Sequence, residues 1–589
     1  MPESTIPMNP ILKAALEYEF PPYSEETGWE KVVAQGDHSH LCPTYVTRVP
    51  PCQASCPAGE DIRGYHNLIR GVEKVGSKEM KDRWEAAWRR ITDKNPFPAM
   101  MGRLCPAPCQ DGCNRQFVDE TIGINAVEHA LGDWGVEQGL IFEKPKVATG
   151  KTVAVVGGGV AGLSCAYQLR RRGHDVVLFE GREKLGGMAR YGIMGYRMPR
   201  QELDAEIQRI IDMGIEVRTN TKIGKDITVE ELREKYDAVF MGIGAQNGRN
   251  LPIPGSDLPE VSNAIEFLVD YEERGNEKVV PKKVVAVGDG DVAMDVVRLA
   301  LRLGAEDVTL LSAVERQDMK CLGFEFDEAV SEGTKIEYAI GTVQVKKNGG
   351  PGVTVECVRM QPKEKGEEGW NSPIPFFRYK PIPGTEFEIQ ADLLVSAIGQ
   401  ALDTEGVEAV TAGAPWVKVD KNYQVQGMEG VFSGGDALSL TLLTTAIGHG
   451  RKAAERIDDY VMGRAFPRED RPDVIRFERL KSDYFKVIPQ AKRGHSHPKG
   501  KDVLHNWDDL LHKLSTEEVE AESGRCMSCG LCFECDQCMI YCPQETITKF
   551  KTNPIGKVMF TVYQGCVGCH ICSQVCPTGF IDMGMGEGL

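Results

Sequence analysis

No apolar run in this 589-residue chain approaches the roughly 20 residues that a membrane-spanning helix requires. The opening stretch, MPESTIPMNPILKAALEYEF, lacks the basic region and apolar core of an export signal. Basic residues are in deficit: 69 Lys and Arg stand against 86 Asp and Glu, a net charge of −17. That balance argues against a nucleic-acid partner, because neutralising a phosphate backbone takes clustered Lys and Arg. Cysteine is nearly absent from the middle of the chain. Only Cys165, Cys321 and Cys357 lie between Cys113 and Cys526, each isolated and expected to be a small buried apolar residue. Residues 150–460 contain no C-x-x-C pair, which excludes dithiol–disulfide exchange from that stretch. The expectation is an acidic cytoplasmic protein of three to five domains, with no membrane span.

The remaining cysteines gather near the two ends, six between Cys42 and Cys113 and ten between Cys526 and Cys576. Clustering without an export signal favours metal ligation over disulfides. The tail carries one spacing twice: Cys532, Cys535, Cys538, Cys542-Pro543, then Cys566, Cys569, Cys572, Cys576-Pro577. C-x2-C-x2-C-x3-C-P is the ligand ladder of bacterial ferredoxins, in which three thiolates hold one [4Fe–4S] cluster and the fourth crosses to the other. Zinc would want two C-x2-C pairs and no trailing Cys-Pro. Cys526 and Cys529 precede the first ladder in the same rhythm and exceed the eight thiols required. An alternative frame uses them in place of Cys535 or Cys538, and the spacing gives the pair no role of its own.

The middle of the chain reads as two dinucleotide-binding units. In KTVAVVGGGVAGL a β-branched strand runs into Gly157-x-Gly159-x-x-Gly162, then a helix-forming stretch, then a second strand ending at Glu180. Glycines there let the backbone turn tightly and approach a pyrophosphate at the helix N-terminus, while the acidic residue accepts ribose hydroxyls. The pattern recurs in KVVAVGDGDVA, with Gly288, Gly290 and Ala293. Two such units about 130 residues apart point to FAD in the first and a nicotinamide nucleotide in the second. Gly186 and Gly187 allow close approach of backbone to the flavin. GVFSGGD would set Gly435 and Asp436 beside its ribityl chain. The stretch ADLLVSAIG, 391–399, reads as the strand with which the chain re-enters the FAD domain.

These motifs, with LGGMARYGIMGYRMPR, AIGQ and the N-terminal NPFPAMMGRLCPAPCQDGC, resemble the small subunit of bacterial glutamate synthase and its relatives. The resemblance implies a multidomain α/β protein: an N-terminal α-helical iron–sulfur domain (1–145), an FAD domain (146–275 and 392–465), an NAD(P) domain (276–391), a mobile linker (466–515) and a 2[4Fe–4S] ferredoxin domain (516–589). It implies Arg197 near the flavin. It also implies one N-terminal cluster on Cys56, Cys105, Cys109 and Glu128, and a second on Cys52 and Cys113. The family's C-x2-C pair before Cys52 is missing, and only Cys42 stands there, with His38 and His40 as nearby candidates. Three or four clusters are therefore expected. The family's NADPH users carry Tyr-Arg-Arg after the second strand of the nucleotide unit, where this chain has Ser312-Ala313-Val314-Glu315-Arg316. Ser312 and Glu315 in that place favour NADH, and Arg316 keeps NADPH as the alternative.

The tail, RCMSCGLCFECDQCMIYCP, resembles the DsrL group of iron–sulfur flavoproteins associated with dissimilatory sulfite reductase in sulfur-oxidising bacteria. The function this implies is electron exchange between NAD(P)H and a redox protein, with dissimilatory sulfite reductase as the expected partner and a homodimer as the guess from relatives. The electron-input subunit of glutamate synthase, or another NADPH-dependent ferredoxin-type oxidoreductase, is the alternative. No catalytic acid or base is expected, because the cofactors carry the chemistry.

Overall fold

The computed structural model describes residues 39–76, 79–275, 281–467, 471–549 and 559–585. His38 lies outside the described residues. The chain forms two compact units, one of residues 49–474 and 487–526, the other of residues up to 48, 475–486 and from 527 onward.

The large unit begins with short helices. Those that position the site are α1 (Pro51–Ser55), α2 (Ile62–Ile69), α3 (Pro98–Leu104), α4 (Pro108–Asp111) and α5 (Ile124–Glu137). Helices α3 and α5 cross at backbone contact. A Cβ on Gly102 would lie 2.2 Å from the Cα of His129, and one on Gly132 would lie 2.2 Å from the nitrogen of Ala99. That approach fixes the end of α3, where Cys105 caps the helix, against Glu128 on α5.

Two parallel sheets follow. The first has the order β10 (Val431–Ser433), β4 (Ala238–Met241), β1 (Thr152–Val156), β2 (Asp175–Phe179), β3 (Glu216–Arg218). Its central strands are apolar runs buried on both faces, as a parallel sheet covered by helices demands. The crossover from β1 to β2 is α6 (Val160–Arg171), and α8 (Leu443–Val461) packs along it. The second sheet has the order β8 (Lys335–Glu337), β7 (Asp307–Leu311), β6 (Lys283–Val287), β9 (Leu393–Ser396), β5 (Val261–Asn263). Its crossover is α7 (Asp291–Arg302).

The strand in ADLLVSAIG is β9, and its partners are β6 and β5, with Leu394 opposite Val285 and Val261. It therefore completes the second sheet and does not re-enter the first; the return comes later, with β10 pairing β4. Strand β5 likewise belongs to the second sheet, although the sequence reading assigned both to the FAD domain.

The expected linker is not a free tether. Arg493 donates to Asn125 Oδ1 at 2.8 Å, Arg103 donates to Asp509 at 2.9 Å, and Arg302 donates to the Asn506 carbonyl at 3.1 Å. Helix α9 (Thr516–Gly524), read as the start of the ferredoxin domain, packs on α5 and α2 of the large unit. Its N-terminus carries a reciprocal Ser515–Glu518 capping box.

In the small unit, Cys42–Tyr45 pairs antiparallel with Ile581–Gly584, and Ile547–Lys549 with Met559–Thr561. Two single-turn helices, Gln537–Ile540 and Ile571–Val575, each start from a left-handed residue, Asp536 and His570. The small core includes Tyr45, Leu531, Ile547, Met559 and Phe580.

Candidate functional site

At the C-terminal ends of β1, β2 and β4 lies a cavity of about 320 Å3. Gly157, Gly159, Glu180, Gly187 and Asp436 all line it. Gly157 has φ +96°, and a Cβ there would lie 2.3 Å from the Gly242 carbonyl. A Cβ on Gly162 would lie 1.9 Å from the Gly157 carbonyl, so α6 can start only where the third glycine stands. Gly187, at φ +52°, would bring a Cβ within 2.7 Å of the Gly159 Cα across the cavity floor. Gly186 also has positive φ, +124°. Glu180 holds the rim: its carboxylate accepts from the Gly158 and Arg182 amides, both at 2.8 Å.

Gly435, at φ +70°, packs against Ala161, and Asp436 accepts from the amide and hydroxyl of Thr441, both at 3.0 Å. Burial pushes the Asp436 carboxyl above its ordinary range. Lys222, which sequence reasoning missed, lines the same cavity, ion-paired with Asp403 at 2.9 Å and Glu405 at 3.1 Å. The glycine-floored groove and the ribose-facing carboxylate fit FAD, whose pyrophosphate would meet the α6 N-terminus.

Arg197 lies elsewhere. Its guanidinium is held by Asp295 of α7 and by Glu325, and it lines a second cavity with Arg103, Glu328 and Arg493. Two nearly buried carboxylates outcompete the flavin neighbourhood that the resemblance implied.

In the second sheet, a Cβ on Gly288 would lie 2.5 Å from the Ala397 carbonyl, Gly290 precedes α7, and Ala293 is fully buried under its first turn. This is a dinucleotide turn with open space at Gly290. Ser312 is fully buried and donates its hydroxyl to the Val314 carbonyl at 2.9 Å, which takes it out of contact with a ribose. Glu315 is partly exposed at the start of the next turn. The Arg316 guanidinium stacks on Phe326, 3.7 Å from the ring centroid.

Among the helices of the large unit, the thiols of Cys56, Cys105 and Cys109 act on one another electrostatically and share the neighbours Glu60 and Glu128. Burial pushes Cys56 up to about 12 and the other two further. Asn95 donates to both carboxylates, at 2.8 Å to Glu60 and 2.9 Å to Glu128. Burial pushes Glu60 up to about 7, and burial and the facing Glu60 push Glu128 well up. Glu60 and Asn95 were not singled out in the sequence, since nothing local marks a carboxylate that packs against another from 68 positions away. The Tyr65 hydroxyl is buried beside these groups without a hydrogen-bond partner. Three buried thiols, a carboxylate pair and an orphaned hydroxyl form a donor set that suits a cluster, whose iron deprotonates thiols outright.

The small unit gathers its thiols in two groups. Cys532, Cys535, Cys538 and Cys576 line one small cavity. Cys572 feels Cys569, Cys566 and Cys542 as its nearest charges. Each group takes three thiols from one ladder and the Cys-Pro thiol from the other. Cys42 belongs to this unit, in the strand against Ile581–Gly584 and beside Cys566. Strand pairing thus assigns it to the ferredoxin fold and not to the helical segment of Cys52 and Cys113, where the resemblance had set it. Cys165, Cys321 and Cys357 are buried and isolated as expected. Among the described residues, no helix is long and apolar enough to cross a membrane.

Residues 151–450 match the profile of the pyridine nucleotide-disulphide oxidoreductase family. Residues 29–140 match dihydropyrimidine dehydrogenase domain II, a 4Fe-4S domain, and residues 531–580 match a 4Fe-4S dicluster domain. The NADPH-Fe(3+) oxidoreductase subunit beta of Geobacter sulfurreducens is 32% identical over 520 residues, covering 81% of this chain and 75% of that protein. The glutamate synthase [NADPH] small chain of Bacillus subtilis is 32% identical over 445 residues, covering 69% and 88%. The NADP(+)-dependent formate dehydrogenase subunit beta of Moorella thermoacetica is 32% identical over 444 residues, covering 70% and 60%.

Proposed function

This chain belongs to the pyridine nucleotide-disulphide oxidoreductase family, and from that premise we propose that it exchanges electrons between NADH and a cytoplasmic redox protein, dissimilatory sulfite reductase. It is an iron–sulfur flavoprotein oxidoreductase of the glutamate synthase small-subunit type, using FAD, NAD(P)H and [4Fe–4S] clusters. The observation that carries the reading is the pairing, in one chain, of a glycine-floored flavin cavity with a crossed, eight-thiol ferredoxin fold.

FAD, when bound, supplies the exchange between a two-electron hydride and single electrons. The chain's own residues bind and orient. The amides at the start of α6 would meet the pyrophosphate, Glu180 would take the ribose, Asp436 would face the ribityl side, and the Gly187–Gly159 approach shapes the floor. At the second nucleotide turn, Gly290 leaves room for backbone approach. The preference for NADH rests on Glu315, which would repel a 2′-phosphate, and on Arg316, whose guanidinium is engaged on Phe326. The choice of sulfite reductase rests on the resemblance of the RCMSCGLCFECDQCMIYCP tail.

Anaerobic steady-state kinetics with both nucleotides test the first point: kcat/KM should favour NADH, and a ratio favouring NADPH overturns it. For the partner, Cys532→Ser should keep NADH reduction of the flavin and lose transfer to added sulfite reductase. Undiminished transfer refutes the ferredoxin outlet. Similarity to glutamate synthase small chains supports a second reading, electron input to a large amidotransferase subunit. Co-purification with such a subunit would replace the first reading.

A further inference from the structure

The family resemblance sets a second N-terminal cluster on Cys52 and Cys113 without completing its ligand set, and the eight thiols of the two ferredoxin ladders do not include Cys526. Four structural facts bear on where Cys526 belongs. First, the turn that leads into Cys113 packs on α1, the helix that carries Cys52: a Cβ on Gly112 would lie 2.3 Å from Ser55 Oγ and 3.0 Å from the Pro51 carbonyl. Second, the chain leaving α9 is clamped there. Arg70 at the end of α2 donates to the Cys526 carbonyl at 2.6 Å, and Arg115, two residues after Cys113, donates to the Arg525 carbonyl at 3.1 Å.

Third, Arg525 is 1% exposed and donates to the Glu120 carbonyl at 2.6 Å, the Thr121 carbonyl at 3.0 Å and Asp119 at 3.0 Å, which fixes residues 525–526 onto the loop that follows Cys113. Fourth, the Cys113 and Cys526 thiols lie close enough to act on one another electrostatically. Tyr65, whose hydroxyl has no partner, lies within the field of Cys52.

We propose that Cys526 is a ligand of a [4Fe–4S] cluster held with Cys52 and Cys113 in the helical part of the large unit. Each Fe–S bond forms as a thiol releases its proton to solvent. A thiol from some 470 positions later thus stands in for the N-terminal cysteines missing from the sequence, and Cys42 is not needed. The proposal concerns iron content alone and stands whichever protein takes the electrons.

The test is iron and acid-labile sulfide per flavin in the anaerobically isolated full chain, with Mössbauer and EPR spectra of the reduced protein. The wild type should hold about 16 iron atoms, four cubanes. Cys526→Ser should hold about 12 and lack one cluster signal, or show a three-iron signal in its place, with the flavin content kept. Cys42→Ser should match the wild type. A wild type that saturates at about 12 overturns the proposal, as does Cys526→Ser with unchanged iron and spectra, or loss of a cluster in Cys42→Ser alone. Should Cys526→Ser fail to accumulate, alkylation of the wild-type holoprotein decides. Cys526 should resist iodoacetamide until iron is chelated, and its modification in the iron-replete protein overturns the assignment.

Discussion

Gly162→Ala probes the flavin cavity at its tightest point. The added Cβ would lie 1.9 Å from the Gly157 carbonyl oxygen and 3.4 Å from Val155 Cγ1. Carbon–oxygen contacts settle near 3.3 Å, so the gap must open by about 1.4 Å. Helix α6 cannot retreat by that much. Ser164 donates to the Ile447 carbonyl at 2.9 Å, Tyr167 donates to the Thr92 carbonyl at 2.7 Å, and a Cβ on Gly450 of α8 would lie only 2.2 Å from the Ala161 carbonyl. The glycine turn must move instead, and the amides that meet a pyrophosphate move with it. Overpacking of this kind costs about 1–3 kcal/mol of stability. Loss of comparable size in FAD binding is about a tenfold to hundredfold weaker Kd. Flavin content after gel filtration and thermal melting followed by flavin fluorescence read both effects. Gly290→Ala is the control, since its Cβ meets nothing within 4 Å. That variant should keep its FAD and stay within about 0.5 kcal/mol of wild type. Full flavin occupancy and an unshifted melt in Gly162→Ala would refute the steric argument.

Two further outcomes follow from buried charge. Glu206 is fully buried, and burial pushes its carboxyl from 4.5 up to about 7, although it accepts from the Ala99 and Met100 amides at 2.7 and 3.0 Å. Its folded value lies above the unfolded one, so the folded chain binds the extra proton between about pH 4.5 and 7. The associated stability, about 3 kcal/mol, is present in full below that window and lost as pH rises through it. Denaturation midpoints should fall across the window in the wild type and fall less in Glu206→Gln; equal pH slopes would count against the assignment. Arg525→Met strands Glu522, 0% exposed, while Asp119 keeps its ion pair with Arg115, and should cost about 3–5 kcal/mol in chemical denaturation. A loss below about 1 kcal/mol would mean that the pair is dispensable.

The parts of the site that could be read from sequence are those built within a few residues. GGGVAG is one strand, one turn and one helix start, and each ferredoxin ladder spans eleven residues, so spacing fixes geometry. What could not be read depends on which distant segment comes to lie alongside. LLVS of β9 is a buried apolar run that would suit either parallel sheet, and only its pairing with Lys283–Val287 assigns it. Ser312 looked like a ribose ligand because its place in the motif was right, yet its hydroxyl turns back to Val314. Arg197 followed a family motif into the wrong neighbourhood because Asp295 and Glu325 belong to segments about 100 and 130 residues away. Glu60 was missed for the same reason: its chemistry is set by neighbours that no window of sequence contains.

The strand Cys42–Tyr45, paired with Ile581–Gly584, has a bearing on biosynthesis. The small unit draws on three separate stretches of chain, and its first strand leaves the ribosome some 540 residues before its last. At translation speeds of 5–20 residues per second, the early strand waits roughly half a minute to two minutes for its mate. Neither thiol cage of that unit has its full set of thiols until near the end of this interval, one at Cys572 and the other at Cys576, so iron delivery comes late in synthesis or after it. The nascent chain meanwhile carries unpaired thiols and an unpaired strand edge, which makes reducing conditions and chaperone cover a requirement of assembly.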